Sequence, residues 1–426
     1  MRAIADLEAR LAEADARYVA ENPESRRLHE QRARFMPGGN TRTTIHQPPF
    51  PLTIVHGRGA RLTDADGHEY VDFLGEYTAG LYGHSNGAIV DAIRGALADG
   101  LVLGAPNRYE GALAEAICDR FPSIELVRFC NSGTEANLLA LSLSRAVTGR
   151  NGVLAFAGAY HGGILLFAHG VSPLNPPFAW VVGEYNDADQ AARLVEEHAH
   201  ELAAVIVEPL QGAAGVIPGE PSFLRALREA TAEHGVLLVF DEVMTARLSR
   251  GGMQQLLGID PDLTTLAKFV GGGLSFGAFG GRADLMRRFD PSRPDALQHG
   301  GTFNNDVLTM AAGAAGLTQL TEAEIGRLNG LGDRLRDRLN TFSAEREGGF
   351  CATGYGSLVG LHFTRGPVRS EEDVPEAAEL RALLHLHLLE RGFSYGRRGF
   401  ISLSLPLGEA DVDGFAEAVE EFLLTL

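Results

Sequence analysis

Residues 236–281 read VLLVFDEVMTARLSRGGMQQLLGIDPDLTTLAKFVGGGLSFGAFGG, and this stretch decides the fold. Its runs VLLVF, LTTLA and FGAFG have the length and apolar content of buried strands, and an acidic pair and glycines punctuate them. Lys268 lies where the second run gives way to a Gly-rich turn. In an α/β protein, strand ends of this kind carry functional side chains. Of the 37 Lys+Arg in the chain, 36 are arginine, so Lys268 is the sole lysine. Arginine replaces lysine as a surface charge, but it cannot lose a proton and add to a carbonyl as a primary amine does. A surface lysine that escaped an arginine bias is the plain alternative, and the strand-end setting argues against it.

Working outward, the same alternation continues upstream. LVRFC at 126–130 leads into Asn131-Ser132-Gly133-Thr134-Glu135 and then a helix, and further strands follow at VLAFA, AWVV and AAVIVEP. Strands separated by helical spacers predict an α/β fold with a mostly parallel sheet covered by helices. Past Gly300 the texture changes to a helical region over 306–338, a strand at 355–363, a helix at 377–391, a strand at 400–405 and an amphipathic helix at 410–424. That predicts a smaller α+β domain. Residues 4–35 read as helix broken at Asn22-Pro23, and the stretch that follows reads as antiparallel strands. The expected division is an N-terminal segment joining the small domain (1–75), a large domain (76–310) and a C-terminal small domain (311–426).

With 426 residues and 45% hydrophobic content, the chain can bury a full core. A net charge of -18 argues against a nucleic-acid backbone or an anionic membrane as partner. Any anionic ligand must then be held by local donors. Three cysteines at wide spacings suggest neither a disulfide framework nor a metal site. The N-terminus lacks a signal-peptide pattern and the apolar runs are of strand length, so a soluble, cytoplasmic protein is expected.

Several loops then carry chemistry. Ser132, Gly133 and Thr134 follow a strand and open a helix, which makes a phosphate site in principle, ordinary N-capping being the alternative. Asp241 ends the most apolar strand, where a carboxylate needs a cationic partner or serves only to cap the next turn. Tyr160, in Tyr160-His161-Gly162-Gly163, could stack on a flat ring or simply sit at a sheet rim. Glu208 and Thr302 lie in similar loops. An amine, a strand-end carboxylate, an anion loop and an aromatic loop are together what pyridoxal 5'-phosphate requires.

The chain resembles the class III, fold-type I aminotransferases in NSGTEAN, AYHGG, VEPLQG, LLVFDEVMT and TLAKFVGGGLSFGAFGGR, and the similarity runs from about residue 37 to the C-terminus. Within that class it is most similar to the β-phenylalanine aminotransferases, in RFMPGGNTR, PFPLT, EYTAGLYGHS, GTFNN and RGFISLSLPL. Glutamate-1-semialdehyde aminomutases share FDEVMT and GGR but usually keep a GNP form where this chain has GTFNNDVLTM. After DEVMT the chain also has Ala-Arg-Leu in place of Gly-Phe-Arg. The resemblance implies a fold-type I architecture and a homodimer with its active site at the subunit interface. It implies that Lys268 forms the Schiff base with the cofactor, Asp241 holds the ring-nitrogen proton, Val243 packs behind the ring and Tyr160 covers the other face. Ser132, Gly133 and Thr134 would hold the phosphate, joined by Thr302 of the partner subunit, and Glu208 would lie near the cofactor. Arg42 would bind a substrate carboxylate, with Arg398 approaching the same site. The implied activity moves nitrogen from a β-amino acid donor to a 2-oxo acid acceptor such as 2-oxoglutarate. The alternatives are an aminomutase, a broad amine transaminase, a cofactor-free Schiff-base aldolase, and a binding module on an inactive fold.

Overall fold

The computed structural model describes residues 2–346 and 348–426, with side chains from residue 7 onward. Its centre is a seven-stranded sheet in the order Leu126–Cys130, Gly277–Gly281, Leu263–Ala267, Leu237–Asp241, Leu202–Val207, Gly152–Phe156, Ala179–Gly183. Gly277–Gly281 runs antiparallel to both neighbours, and the other six strands share one direction. Leu202–Val207 and Leu237–Asp241 are buried at every position, as continuous apolar runs must be when helices cover both faces. The helices Gly133–Thr148 and Pro221–His234 each end on a left-handed glycine, Gly149 and Gly235, which lets the chain turn back into the next strand.

Because six strands are co-directional, their carboxyl ends gather along one edge of the sheet. The segments leaving that edge carry Ser132–Thr134, Tyr160, Glu208, Val243 and Lys268, with Asp241 closing its own strand. Such an edge is where open α/β sheets bind ligands.

The C-terminal part packs the helices Glu322–Ala344, Ala378–Glu390 and Glu409–Leu423 with an antiparallel sheet of Cys351–Tyr355, Leu358–His362 and Phe400–Ser402. N-terminal strands join it. Glu69–Asp72 pairs in parallel with Phe393–Ser394, and the buried Phe73 ring stacks on Phe415 at 4.2 Å between centroids. Burying one such ring contributes about 2 kcal/mol. No helix among the described residues is long and apolar enough to cross a membrane.

Two expectations need correction. The helical region at 306–338 is two helices, Val307–Gln319 and Glu322–Ala344, because Thr321 accepts the Glu324 N–H at 3.2 Å and caps the second. The first of them packs on Gly87–Asp99 and Arg108–Arg120. The strand at 355–363 is the second half of a hairpin whose first half, Cys351–Tyr355, has no apolar alternation to reveal it.

Candidate active site

Lys268 follows directly on the strand Leu263–Ala267 and adopts φ 55°, the left-handed region. A side chain there costs about 1–2 kcal/mol. The surroundings enforce it: Gly272, two residues after Val270, has φ 68°, and a Cβ on it would lie 2.5 Å from the Ala312 backbone. The turn is thus pressed against the helix Val307–Gln319. Burial pulls its ammonium down to about 8, while the carboxylates of Asp241, Glu208 and Glu76 oppose that shift. An amine so lowered gives up its proton closer to neutral pH than an ordinary lysine does, which favours a nucleophile.

Asp241 is 4% exposed and sits in a closed network. His161 Nδ1 lies 2.9 Å from its Oδ2, Asn137 Nδ2 donates to the same oxygen at 2.7 Å, and the Val243 N–H donates to Oδ1 at 3.0 Å. Asn137 is itself fixed, donating to the His161 carbonyl at 2.9 Å and accepting from Thr265 Oγ1 at 2.6 Å. Neither Asn137 nor Thr265 was expected from the sequence, although Asn137 closes the quoted NSGTEAN. His161, adjacent to Tyr160, carries no sequence signal of its own. Its Nε2 is buried and has no hydrogen-bond partner among the described residues.

Glu208 is buried beside this network. Its carboxylate accepts the Tyr160 N–H at 2.9 Å and the Gly212 N–H at 3.0 Å. Burial pushes the carboxyl up to about 7; His161 pulls against this and Asp241 adds to it. A carboxyl raised on folding stabilises the native state fully below its unfolded value and loses that contribution as pH rises to about 7. Melting temperatures of the apo-protein should therefore fall more steeply between pH 4.5 and pH 7 for the native sequence than for Glu208→Gln. Parallel curves across that window would refute the assignment. Tyr160 is 41% exposed, so its ring is open to a ligand.

At the helix Gly133–Thr148, Ser132 Oγ accepts the Glu135 N–H at 3.1 Å and Thr134 Oγ1 accepts the Gly163 N–H at 3.1 Å. Both hydroxyls thus serve the local fold, the first as an N-cap. The N–H groups of Gly133 and Thr134 have no intrahelical acceptor and remain for an anion. A Cβ on Gly133 would come 3.2 Å from Val243 and 3.3 Å from Ala267, so this loop, Val243 and the lysine strand converge. Gly162 has φ 126° and lies so near Thr134 that a Cβ would fall 2.2 Å from Oγ1. Glycine there brings the Tyr160 loop onto the phosphate loop. Uncapped N–H groups, a carboxylate buried without a Lys or Arg partner and a tuned amine fit a flat ring bearing a phosphate.

Thr302 is exposed and makes no hydrogen bond to that loop among the described residues; Asn131 Nδ2 donates to Asn304 Oδ1 at 3.1 Å. Arg42 is ion-paired to Glu76, with its guanidinium 6.0 Å from the centroid of the Tyr77 ring. Arg398 is exposed and has no hydrogen bond or ion pair among the described residues.

Residues 43–385 match the family model described as Aminotransferase class-III. The chain is 52% identical to the beta-phenylalanine transaminase of Variovorax paradoxus over 97% of its own length and 95% of that protein. It superposes on a crystal structure of a beta-phenylalanine aminotransferase from that organism with a TM-score of 0.97, covering 98% of each chain at 51% identity. It is 38% identical to a glutamate-1-semialdehyde 2,1-aminomutase of Sorangium cellulosum, over 94% of its own length and 96% of that protein. The chain belongs to the class III aminotransferases, with the fold-type I architecture of its structural neighbours.

Proposed function

We propose that the protein transfers the amino group of a β-amino acid such as β-phenylalanine to a 2-oxo acid such as 2-oxoglutarate, in two half-reactions. The observation that carries this reading is the likeness to beta-phenylalanine transaminase along nearly the whole chain, and the Arg42 guanidinium beside the Tyr77 ring supplies a carboxylate-binding cation. Pyridoxal 5'-phosphate, the cofactor, supplies when bound a carbonyl that captures amines and a ring that accepts electrons from the donor carbon.

Each residue has a stated task. The Gly133 and Thr134 N–H groups with the Ser132 hydroxyl would hold the phosphate, Val243 and Tyr160 would line the ring site, and Asp241 would keep the ring nitrogen protonated. Lys268 would hold the cofactor through its amine and, as a free amine, would take the proton from the donor carbon and return it as general base and acid. Its lowered pKa favours the free amine that the first of these transfers needs. Arg42 clamps a substrate carboxylate through charge-assisted hydrogen bonds, and Arg398 offers a second such site.

A homodimer completes the site in this reading. Leu101, Val102, Leu103 and Phe303 are exposed around a recess that includes Thr302, an apolar surface suited to a second copy that would receive Thr302 at its phosphate loop. Free thiols at Cys118, Cys130 and Cys351 suit a reducing cytoplasm.

β-Phenylalanine alone should consume at most one equivalent per site, with turnover only after 2-oxoglutarate is added. Continued turnover without acceptor would favour an aminomutase and sink the reading. Arg42→Ala should raise KM for β-phenylalanine about 10-fold to 100-fold, the worth of a hydrogen bond to a charged group. The carboxylate-free 1-phenylethylamine should be little affected, and equal losses for both donors would contradict the clamp.

A further inference from the structure

Gly75 and the first three residues of the EYTAG segment that follows it have positive φ: Gly75 at 54°, Glu76 at 45°, Tyr77 at 52° and Thr78 at 82°. Only the first is glycine. Three side chains in the left-handed region, one of them β-branched and buried, make a turn that the chain would not adopt unaided. Its surroundings hold it in place. Asp72 Oδ1 accepts the N–H groups of Leu74 at 2.8 Å and Gly75 at 3.1 Å, Gly80 N–H closes back on the Gly75 carbonyl at 2.8 Å, and a Cβ on Gly75 would lie 3.0 Å from the Ser402 carbonyl.

The product of this strain is a clamp around one guanidinium. Glu76 pairs with Arg42, the Tyr77 ring lies beside it, and the Tyr77 hydroxyl donates to the carbonyl of Thr44, two residues beyond Arg42, at 3.1 Å. Phe400 supports the Tyr77 ring from 5.4 Å. Both members of the ion pair are about half exposed, at 47% and 54% of their side-chain surface, so the bond is accessible to a competing anion and weak enough to yield to one. Arg398, exposed and two residues before Phe400, has no carboxylate partner among the described residues.

Resting on the reading of Arg42 as the substrate-carboxylate clamp, the geometry points to Glu76 as a specificity-determining residue. It is an internal carboxylate that occupies Arg42 until the substrate's carboxylate displaces it. Glu76 keeps the guanidinium oriented while the site is empty, and its own displacement weakens acid binding by the strength of the pair. Substrate acids then bind Arg42 by exchange. Arg398 binds them without any internal competitor, so the two cations differ in affinity although their chemistry is the same. That asymmetry suits a site which must hold an aromatic monocarboxylate donor and release it for a dicarboxylate acceptor.

The test uses holoenzyme and 3-phenylpropionate, which bears the carboxylate and ring of the donor but no amine, with 3-phenylpropanamide as its uncharged counterpart. Calorimetric titration at low salt should show Glu76→Gln binding the acid about threefold to fivefold more tightly than the native protein, the range an exposed ion pair allows. Amide binding should stay the same, and Glu76→Asp, which keeps the charge and tolerates a left-handed backbone, should stay near native. In an Arg42→Gln background, Glu76→Gln should bring no gain. Unchanged or weaker acid binding in Glu76→Gln would overturn the proposal. So would an equal change for acid and amide, which would assign Glu76 to the shape of the turn, a gain that persists without Arg42, or no acid binding by any form. None of these measurements needs turnover, so their failure leaves the transamination reading intact. Binding as described without transamination would sink that reading alone.

Discussion

Lys268→Arg should abolish transamination, lowering kcat/KM by more than about 10⁴-fold, the upper range for a general acid–base group. The substitution keeps the positive charge, the length and the left-handed backbone demand at position 268. What it removes is an amine that can lose its proton: burial pulls Lys268 down to about 8, whereas a guanidinium stays charged. With no other lysine in the chain, no neighbouring amine can take over. Steady-state kinetics on β-phenylalanine with 2-oxoglutarate read the loss. The cofactor's absorbance should show that the variant still binds it, since the anion loop and Asp241 are untouched. Residual activity within about tenfold of native would refute the assignment of the proton transfers to Lys268.

Asp241→Asn is expected to have the second-largest effect, about 10³-fold in kcat, comparable to losing a preorganised electrostatic contact at a reacting group. The native carboxylate accepts from His161, Asn137 and the Val243 N–H and is almost wholly buried, so its charge is held at one position and screened little by water. An amide of the same shape brings no negative charge to a ring nitrogen, and it sets an N–H against at least one existing donor. Because Lys268 is unaltered, the variant should still attach the cofactor. Loss of kcat with attachment retained identifies the electrostatic role; loss of attachment as well would mean that Asp241 only maintains the fold of the strand end.

The chemistry-bearing residues were legible where residue type and strand-end position coincide. Lys268 and Asp241 each close an apolar run that is recognisable without a structure, and parallel strands put such ends on one edge. Partners contributed from distant positions were not legible. Asn137 and Asp241 are 104 residues apart, Thr265 and Asn137 are 128 apart, and nothing in either local pattern announces that they meet. The Glu76–Arg42 pair escaped for another reason. The turn that aims Glu76 at Arg42 is built from residues that disfavour it, so local propensity points away from the observed backbone. At Ser132 capping and phosphate binding are both readable and compatible: its oxygen accepts the Glu135 N–H as the cap, which leaves its own O–H and the N–H groups of the next two residues for an anion. The hairpin Cys351–Tyr355 with Leu358–His362 was half visible, because only its second strand is uniformly buried.

The central claim is that one amine, on Lys268, carries the cofactor. Borohydride reduction of the holoenzyme followed by proteolysis and mass spectrometry tests it most directly. A single peptide, spanning the strand end at Leu263–Ala267 and Lys268, should carry the reduced cofactor in one-to-one stoichiometry. Cofactor on any other peptide, or cofactor removed by dialysis after reduction, would contradict it.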